Sequence, residues 1–89
     1  MNIRIDAHTL LRARERGTDA NEIADVVNTG FHVSAKNERI GKAKIYPYHA
    51  VRNKKYYEQK KVEVYYVQEN DTIITVTVYV FYGQWEGQP

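Results

Sequence analysis

The most regular pattern of apolar and polar positions in this chain lies in residues 62–82. Val, Ile, Thr and Tyr make up two runs, one on each side of the polar segment 69–72, and that composition predicts a β-hairpin. Because successive side chains of a strand point to opposite faces of its sheet, the second arm has two different faces. One face is apolar throughout and is expected to pack on helices, whereas the other carries three hydroxyl groups and is expected to line a groove. The apolar set is Ile74, Val76, Val78, Val80 and Tyr82, and the hydroxyl-bearing set is Ile73, Thr75, Thr77, Tyr79 and Phe81.

Two helices are predicted ahead of this hairpin. Asp6 suits an N-cap because its carboxylate can accept a hydrogen bond from an early backbone N–H, and a helix over residues 7–16 then ends at the following glycine. Asp19, with Glu22 three residues later, resembles a capping box and predicts a second helix over residues 20–28. Both helices therefore precede the main strands.

The segment between the helices and the hairpin has a weaker pattern. Residues 31–35 alternate well enough to predict a first strand, and residues 42–48 predict a second one after a turn. Pro47 places the end of that second strand at a sheet edge or a bend, because proline cannot donate a ladder hydrogen bond. Residues 49–61 are highly charged and weakly periodic, so we expect a long, mobile connection with some strand around residues 56–57.

Helices followed by strands indicate an α+β fold. We expect two N-terminal helices packed on one face of a three- to four-stranded, mainly antiparallel sheet. Residues 1–89 are few enough to form a single domain. The glycine-rich tail, residues 83–89, is expected to fray, although Trp85 can hold it against the core.

Composition narrows the class of protein. The absence of cysteine excludes disulfides and thiolate metal sites, and it fits a reducing compartment. No segment approaches the roughly 18 apolar residues of a membrane span, and the N-terminus has no apolar signal region, so a soluble cytoplasmic protein without membrane contact is expected. No glycine-rich loop precedes a helix and no HExxH motif is present. We therefore expect no P-loop nucleotide site, no metal and no cofactor.

Basic charge is concentrated in one stretch. Residues 36–61 hold nine Lys and Arg residues against two Glu residues, and tyrosines are interleaved among them. This combination favours phosphate contact with base stacking, hence RNA, but lysines that keep edge strands soluble would give the same pattern. The RNA-binding candidates are Lys42, Lys44, His49, Arg52, Lys54 and Lys55.

A stripe of cationic and titratable groups follows one ridge of the first helix. His8, Arg12 and Arg16 are spaced four residues apart, which places them one above another. Histidine exchanges protons near neutral pH, and arginine presents forked donors that match phosphate oxygens. The alternative is structural: His8 packs near the helix start, and the arginines pair with Glu15 or Asp19.

The motif His8-x-x-x-Arg12-x-x-x-Arg16, with the capped second helix and the last predicted strand, resembles a family of small bacterial and phage proteins described as a domain of unknown function. That family is similar to the BrnT and RelE-like toxins, within the superfamily of barnase-like, EndoU-like and RelE-like ribonucleases. The resemblance covers roughly half the chain. It implies a two-helix fold with an antiparallel sheet and metal-independent RNA cleavage. It also implies one catalytic site formed by His8, Arg12, Arg16, Thr77 and Tyr79.

The leading expectation is therefore a toxin-like endoribonuclease that cleaves RNA by attack of the 2′-OH on the adjacent phosphate. His8 would act as general acid or base, while Arg12 and Arg16 hold the phosphate. His49 is a second proton carrier, but no pattern in the sequence brings it close to His8. The resemblance implies a cognate antitoxin or immunity protein, since a free ribonuclease would harm its own cell. The alternatives are a non-catalytic module that binds nucleic acid or protein, and a structural domain whose open sheet edge forms a homodimer.

Overall fold

The computed structural model describes residues 2–85, in which two helices pack on one face of a five-stranded sheet. The strand order is β1-β5-β4-β3-β2, with β1 parallel to β5 and the other neighbours antiparallel. The predicted α+β class is confirmed, but the sheet is mixed and has five strands rather than three or four. In chain order the elements are β1 (Asn2–Arg4), α1 (Ala7–Arg16), α2 (Ala20–Thr29), β2 (Phe31–Val33), β3 (Ile40–Arg52), β4 (Lys55–Glu69) and β5 (Thr72–Gly83).

Helix α1 has the bounds and the caps that the sequence predicts. The Asp6 carboxylate accepts a hydrogen bond of 2.7 Å from the backbone N–H of Thr9. At the other end Gly17 adopts the left-handed conformation, with a φ of 96°. Any other residue would be strained at that φ, and its Cβ would also collide with the hydroxyl of Tyr82. Both the backbone conformation and the close packing therefore favour glycine.

Helix α2 begins as predicted and continues one residue further, to Thr29. The Asp19 carboxylate accepts a hydrogen bond of 2.8 Å from the backbone N–H of Glu22. The reciprocal half of a capping box is not formed. The Glu22 carboxylate instead accepts hydrogen bonds from the Thr18 hydroxyl and from the Lys60 ammonium, each at 2.7 Å, which ties α2 to the sheet.

The predicted hairpin over residues 62–82 is formed by β4 and β5, joined at Asn70 and Asp71. A β-bulge interrupts its ladder. Tyr66 pairs with Thr75, yet the preceding residue of β4, Tyr65, pairs with Thr77, so Val76 is an extra residue in β5.

The bulge corrects the predicted division of β5 into two faces. Before the bulge the odd-numbered residues Ile73 and Thr75 point to the helices, with 3% and 1% of their surface exposed. After it the even-numbered Val78 is fully buried in the same core. The prediction is therefore right beyond Val76 and wrong before it, because one extra residue shifts the alternation to the other face.

Residues 49–61 are not a mobile connection but belong to a second long hairpin. Strands β3 and β4 stay paired as far as Arg52 and Lys55. The two residues between them, Asn53 and Lys54, both have positive φ values, 52° and 68°. Two positive φ values in a two-residue loop give the type I′ twist that suits a hairpin. Such turns usually have glycine at the second loop position, where this chain has Lys54. Because lysine rarely adopts a positive φ, the sequence does not predict the turn.

The prediction that Pro47 marks an edge is confirmed. Within residues 2–85 the outer neighbour of β3 is β2, which pairs only with residues 41–43, so Pro47 lies in an unpaired part of that edge. The ladder between β3 and β4 also shifts between Pro47 and Ala50, where His49 has a φ of 49°. Proline and an irregular register both discourage pairing with another chain.

The two outer strands are short. Residues 2–4 form β1, which was not predicted because three residues are too few for a periodic pattern; β1 pairs in parallel with residues 72–74. Strand β2 covers Phe31–Val33 rather than residues 31–35. The residues that follow it belong to the loop leading to β3.

The predicted tail starts inside β5, which ends at Gly83. The backbone N–H of Trp85 then donates a hydrogen bond of 2.6 Å to the side-chain oxygen of Gln59. Trp85 is therefore held against the sheet, while residues 86–89 lie outside the described residues.

One hydrophobic core joins both helices to β4 and β5. Full burial of a valine or isoleucine side chain contributes about 1.5–3 kcal/mol. The helix-bearing face of the sheet therefore supplies most of the apolar stabilisation. Its buried members are Ala13, Ile23, Val26, Val27, Val62, Val64, Tyr66, Ile73 and Val78.

Candidate functional site

The face of the sheet that carries no helix is called the open face here. Val62, Val64 and Val78 are buried with the helices, so the residues that alternate with them point the other way. The sequence of β4 carries this signal, because its valines alternate with polar and aromatic residues. The cross-strand pairs on the open face are Tyr65 with Thr77, Glu63 with Tyr79, and Lys61 with Phe81.

A groove of about 250 Å³ lies at one end of the open face. Gly41 makes room for one of its walls, because an added Cβ would lie 2.8 Å from a ring carbon of Tyr65 and 2.9 Å from a methyl group of Val33. The loop between β2 and β3 contributes two basic residues to the opposite wall. The lining residues are Ser34, Ala35, Lys36, Arg39, Tyr65, Thr77 and Tyr79.

A chain of three side chains, joined by one hydrogen bond and one ion pair, adjoins this groove on the open face. The Tyr65 hydroxyl donates a hydrogen bond of 2.9 Å to one oxygen of Glu63, and the Lys61 ammonium lies 3.2 Å from the other. Burial, followed by the hydrogen bond to Glu63, raises the pKa of Tyr65 to about 12. The phenol thus stays protonated at neutral pH and is a donor, beside a carboxylate that can accept a proton. Sequence reasoning did not select Glu63 or Tyr65.

Arg16 connects α1 to the open face. Its Nη1 donates a hydrogen bond of 2.6 Å to the backbone carbonyl of Val78, and its guanidinium lies 5.0 Å from the centre of the Tyr79 ring. This edge of β5 is open to α1 because β1 pairs only with residues 72–74. Three of the five predicted catalytic residues, Arg16, Thr77 and Tyr79, therefore lie at one place.

The other two predicted catalytic residues lie outside the groove. His8 is exposed on the first turn of α1, and Arg12 forms an exposed ion pair of 2.8 Å with Glu15. That ion pair is the structural alternative that the sequence left open. An exposed ion pair contributes little free energy, so Arg12 can leave Glu15 at small cost.

Two of the predicted RNA-binding residues point to the helices instead. Lys42 donates a hydrogen bond of 2.9 Å to the carbonyl of Val27. Lys44 lies 2.8 Å from a carboxylate oxygen of Asp25, which also accepts a hydrogen bond of 2.5 Å from the Tyr46 hydroxyl. The Lys44 and Tyr46 hydrogen bonds lower the pKa of Asp25 to about 2. Both lysines thus fasten α2 to β3 and do not face the open side.

The remaining predicted RNA-binding residues lie towards the end of the β3–β4 hairpin. Arg52 donates a hydrogen bond of 2.9 Å to the carbonyl of Glu15 at the end of α1. Lys54 is exposed in the turn. The Lys55 ammonium lies 5.5 Å from the centre of the Tyr57 ring. His49 is exposed and lies 3.2 Å from a Glu58 oxygen. None of these four residues lines the groove.

Neither helix of residues 2–85 is long and apolar enough to cross a membrane. Within that same part of the chain, His, Cys, Asp and Glu side chains form no group able to hold a metal ion. No protein-family model, curated protein or solved structure matches this chain. Its function is therefore inferred from the fold and from the side chains of the open face.

Proposed function

We propose that the protein is a toxin-like, metal-independent endoribonuclease that binds RNA on the open face and cleaves it beside Arg16. The observation that carries the proposal is the position of Arg16. Its guanidinium reaches from α1 across the edge of β5 to the ring of Tyr79, which lines the groove with Thr77. A phosphate-matching donor and a hydroxyl-lined groove thus adjoin each other.

The reaction begins when the 2′-oxygen of RNA forms a bond to the adjacent phosphorus and the 5′-oxygen of the next nucleotide leaves. Negative charge then grows on the phosphate oxygens, and Arg16 beside Tyr79, together with Lys36 and Arg39 of the groove lining, supplies positive charge and donors for it. The products are a cyclic phosphate and a free 5′-hydroxyl, so no water is consumed in the chemical step.

Two groups can exchange the protons. Glu63 accepts a hydrogen bond from Tyr65, which lines the groove, and can accept the proton of the 2′-OH. His8 lies on the same ridge as Arg16 but about 12 Å away along the helix axis, which is too far to protonate an oxygen leaving a phosphate held at Arg16. The Lys36 ammonium, which lines the groove, can give the leaving oxygen its proton.

A second candidate is a non-catalytic module that binds RNA through the same face. It is favoured by the position of His8 outside the groove and by the pairing of Arg12 with Glu15. Such a module needs the cations and the aromatic rings but no proton carrier.

If the protein is a toxin-like endoribonuclease, its cell needs an antitoxin that inhibits it. The groove and its rim carry Lys36, Arg39 and Arg16, so an inhibitor that covers them should present acidic side chains. A partner of this kind would compete with RNA for the open face.

The test is incubation of total RNA with purified protein in EDTA. The wild type should cleave, whereas Arg16→Ala should lose activity by about 100-fold or more, in line with the removal of one positioned donor from a reacting oxyanion. Arg14→Ala is the matched control, because Arg14 is an exposed arginine of the same helix. His8→Ala decides whether His8 transfers a proton.

Intact RNA with the wild-type protein would contradict cleavage and favour the binding module. Equal cleavage by wild type, Arg16→Ala and Arg14→Ala would mean a contaminating nuclease. Loss of cleavage on addition of EDTA would contradict the metal-independent mechanism.

A further inference from the structure

We infer that Tyr79, Phe81 and Trp85 form a platform on which unpaired bases stack, so that the substrate is single-stranded RNA. The inference rests on the proposed function in taking RNA as the ligand of the open face. It adds which form of RNA binds and which residues distinguish it from a duplex.

Two exposed rings lie side by side at this end of the open face. Tyr79 and Phe81 are 42% and 46% exposed, their centres are 6.3 Å apart, and their planes differ by only 25°. Tyr65 packs edge-on against Tyr79 at 5.9 Å and holds it in place. Exposed aromatic rings that lie next to each other in nearly parallel planes are typical of binding surfaces.

A cation accompanies each ring. The Lys61 ammonium lies 5.5 Å from the centre of Phe81 and 5.3 Å from that of Trp85, and its ion pair with Glu63 fixes it between them. Arg16 lies 5.0 Å from the centre of Tyr79. Rings for the bases and cations for the phosphates, in alternation, make up the surface that single-stranded nucleic acids require.

A duplex cannot use this surface, because its bases are already stacked and paired inside the helix. The platform also continues directly from the groove, since Tyr79 belongs to both. Bases next to the scissile phosphate would stack on Phe81 and Trp85 while that phosphate lies at Arg16.

The other aromatic cluster of the protein has a different character. Tyr48 and Tyr57 pack against Tyr82 with ring centres 5.0 and 5.6 Å away, and the Tyr82 hydroxyl donates a hydrogen bond of 2.6 Å to the carbonyl of Arg16. Burial raises the pKa of Tyr82. Tyr48 and Tyr57 thus pack on Tyr82, and Tyr82 is bonded to α1, so this cluster holds the structure together.

The test uses the fluorescence of Trp85, the single tryptophan of the sequence. The probe is a 2′-O-methyl oligonucleotide, which cannot be cleaved because it has no 2′-OH. As a single strand it should quench Trp85 and bind at least about tenfold more tightly than the same sequence in a duplex. Phe81→Ala and Phe81→Leu should each weaken binding about tenfold, since leucine keeps the apolar bulk but has no ring to stack.

Tyr56→Ala is the matched control, because Tyr56 is 51% exposed but lies near the end of the β3–β4 hairpin. Its affinity should equal that of the wild type. Equal affinity for single strand and duplex, or equal binding by Phe81→Ala and Tyr56→Ala, would overturn the platform.

The platform and the proposed activity can fail separately. Single-strand binding that depends on Phe81, in a protein that leaves natural RNA intact, would refute the ribonuclease and keep the platform. If the protein cleaves RNA but binds the oligonucleotide equally well with and without the Phe81 ring, the ribonuclease is supported and the platform is refuted.

Discussion

Lys60 and Lys61 are neighbours in β4, yet they lie on opposite faces of the sheet and have different surroundings. Lys60 donates hydrogen bonds to the carbonyl of Gly17 and to the carboxylate of Glu22, and only 12% of its side chain is exposed. Lys61 lies between two aromatic rings on the open face. One lysine holds the helices to the sheet, while the other contributes to a surface suited to an anionic ligand.

The same contrast separates the basic residues of the segment 36–61. Lys42 and Lys44 are occupied by α2, whereas Lys36 and Arg39 line the groove. A count of positive charges along a sequence therefore overstates the charge that a ligand meets. What matters is whether each cation finds its partner inside the protein.

The largest effect expected from this contrast is on stability. Ile23→Ala removes a fully buried side chain and should lower the free energy of unfolding by about 2–5 kcal/mol. Phe81→Ala, on the open face, should lower it by about 1 kcal/mol or less. Urea denaturation followed by circular dichroism measures both. Similar losses would mean that the open face is covered, for example by a second copy of the chain.

An intermediate effect is expected at the two neighbouring lysines. Lys60→Met leaves the half-buried carboxylate of Glu22 without its cation and should cost about 1–3 kcal/mol of stability. Lys61→Met leaves Glu63, whose side chain is only 13% exposed, without its cation and should also lower stability, but unlike Lys60→Met it should weaken binding of the single-stranded oligonucleotide. Urea titrations and fluorescence titrations of both variants give the answer. If Lys60→Met weakened binding more than Lys61→Met, the assignment of the two faces would be wrong.

The smallest effect is expected in acid, on the helix side. The hydrogen bonds from Lys44 and Tyr46 lower the pKa of Asp25 from 3.8 to about 2, so the folded state binds this proton less readily than the unfolded chain does. The resulting stabilisation is complete above about pH 4 and is lost as the pH falls towards 2. Asp25→Asn should therefore be less stable than the wild type at pH 7, and the difference should shrink between pH 4 and 2. A difference that stays constant over this range would mean that the negative charge of Asp25 is not what stabilises the fold.

Local signals in the sequence sufficed for the helices and for the last hairpin. Asp6, Asp19 and Gly17 act on their immediate neighbours, so α1 was predicted to the residue and α2 within one residue. The hairpin at Asn53 and Lys54 was not recognised, because its turn has no glycine and its arms carry many charges. The bulge at Val76 leaves no local mark, since it arises from the pairing of β5 with β4.

The candidate site was predictable where one strand or one helix ridge determines it. Thr77 and Tyr79 follow from alternation in β5, and the same argument applied to β4 would have selected Glu63 and Tyr65. The contact between Arg16 and Tyr79 could not be read from the sequence, because it depends on how α1 packs along the free edge of β5. For the same reason, the sequence does not distinguish the lysines that bind the helices from lysines free to bind a ligand.

The parallel pairing of β1 with β5 has a consequence for how the protein is made. Asn2 pairs with Thr72, so β1 has no strand partner until the chain has been synthesised as far as β5. Contacts between residues so far apart in sequence form late and slow the folding of a small domain. Arg16 likewise finds Val78 and Tyr79 only after β5 has left the ribosome. A chain that stops before β5 therefore lacks both the groove and the contact between Arg16 and Tyr79.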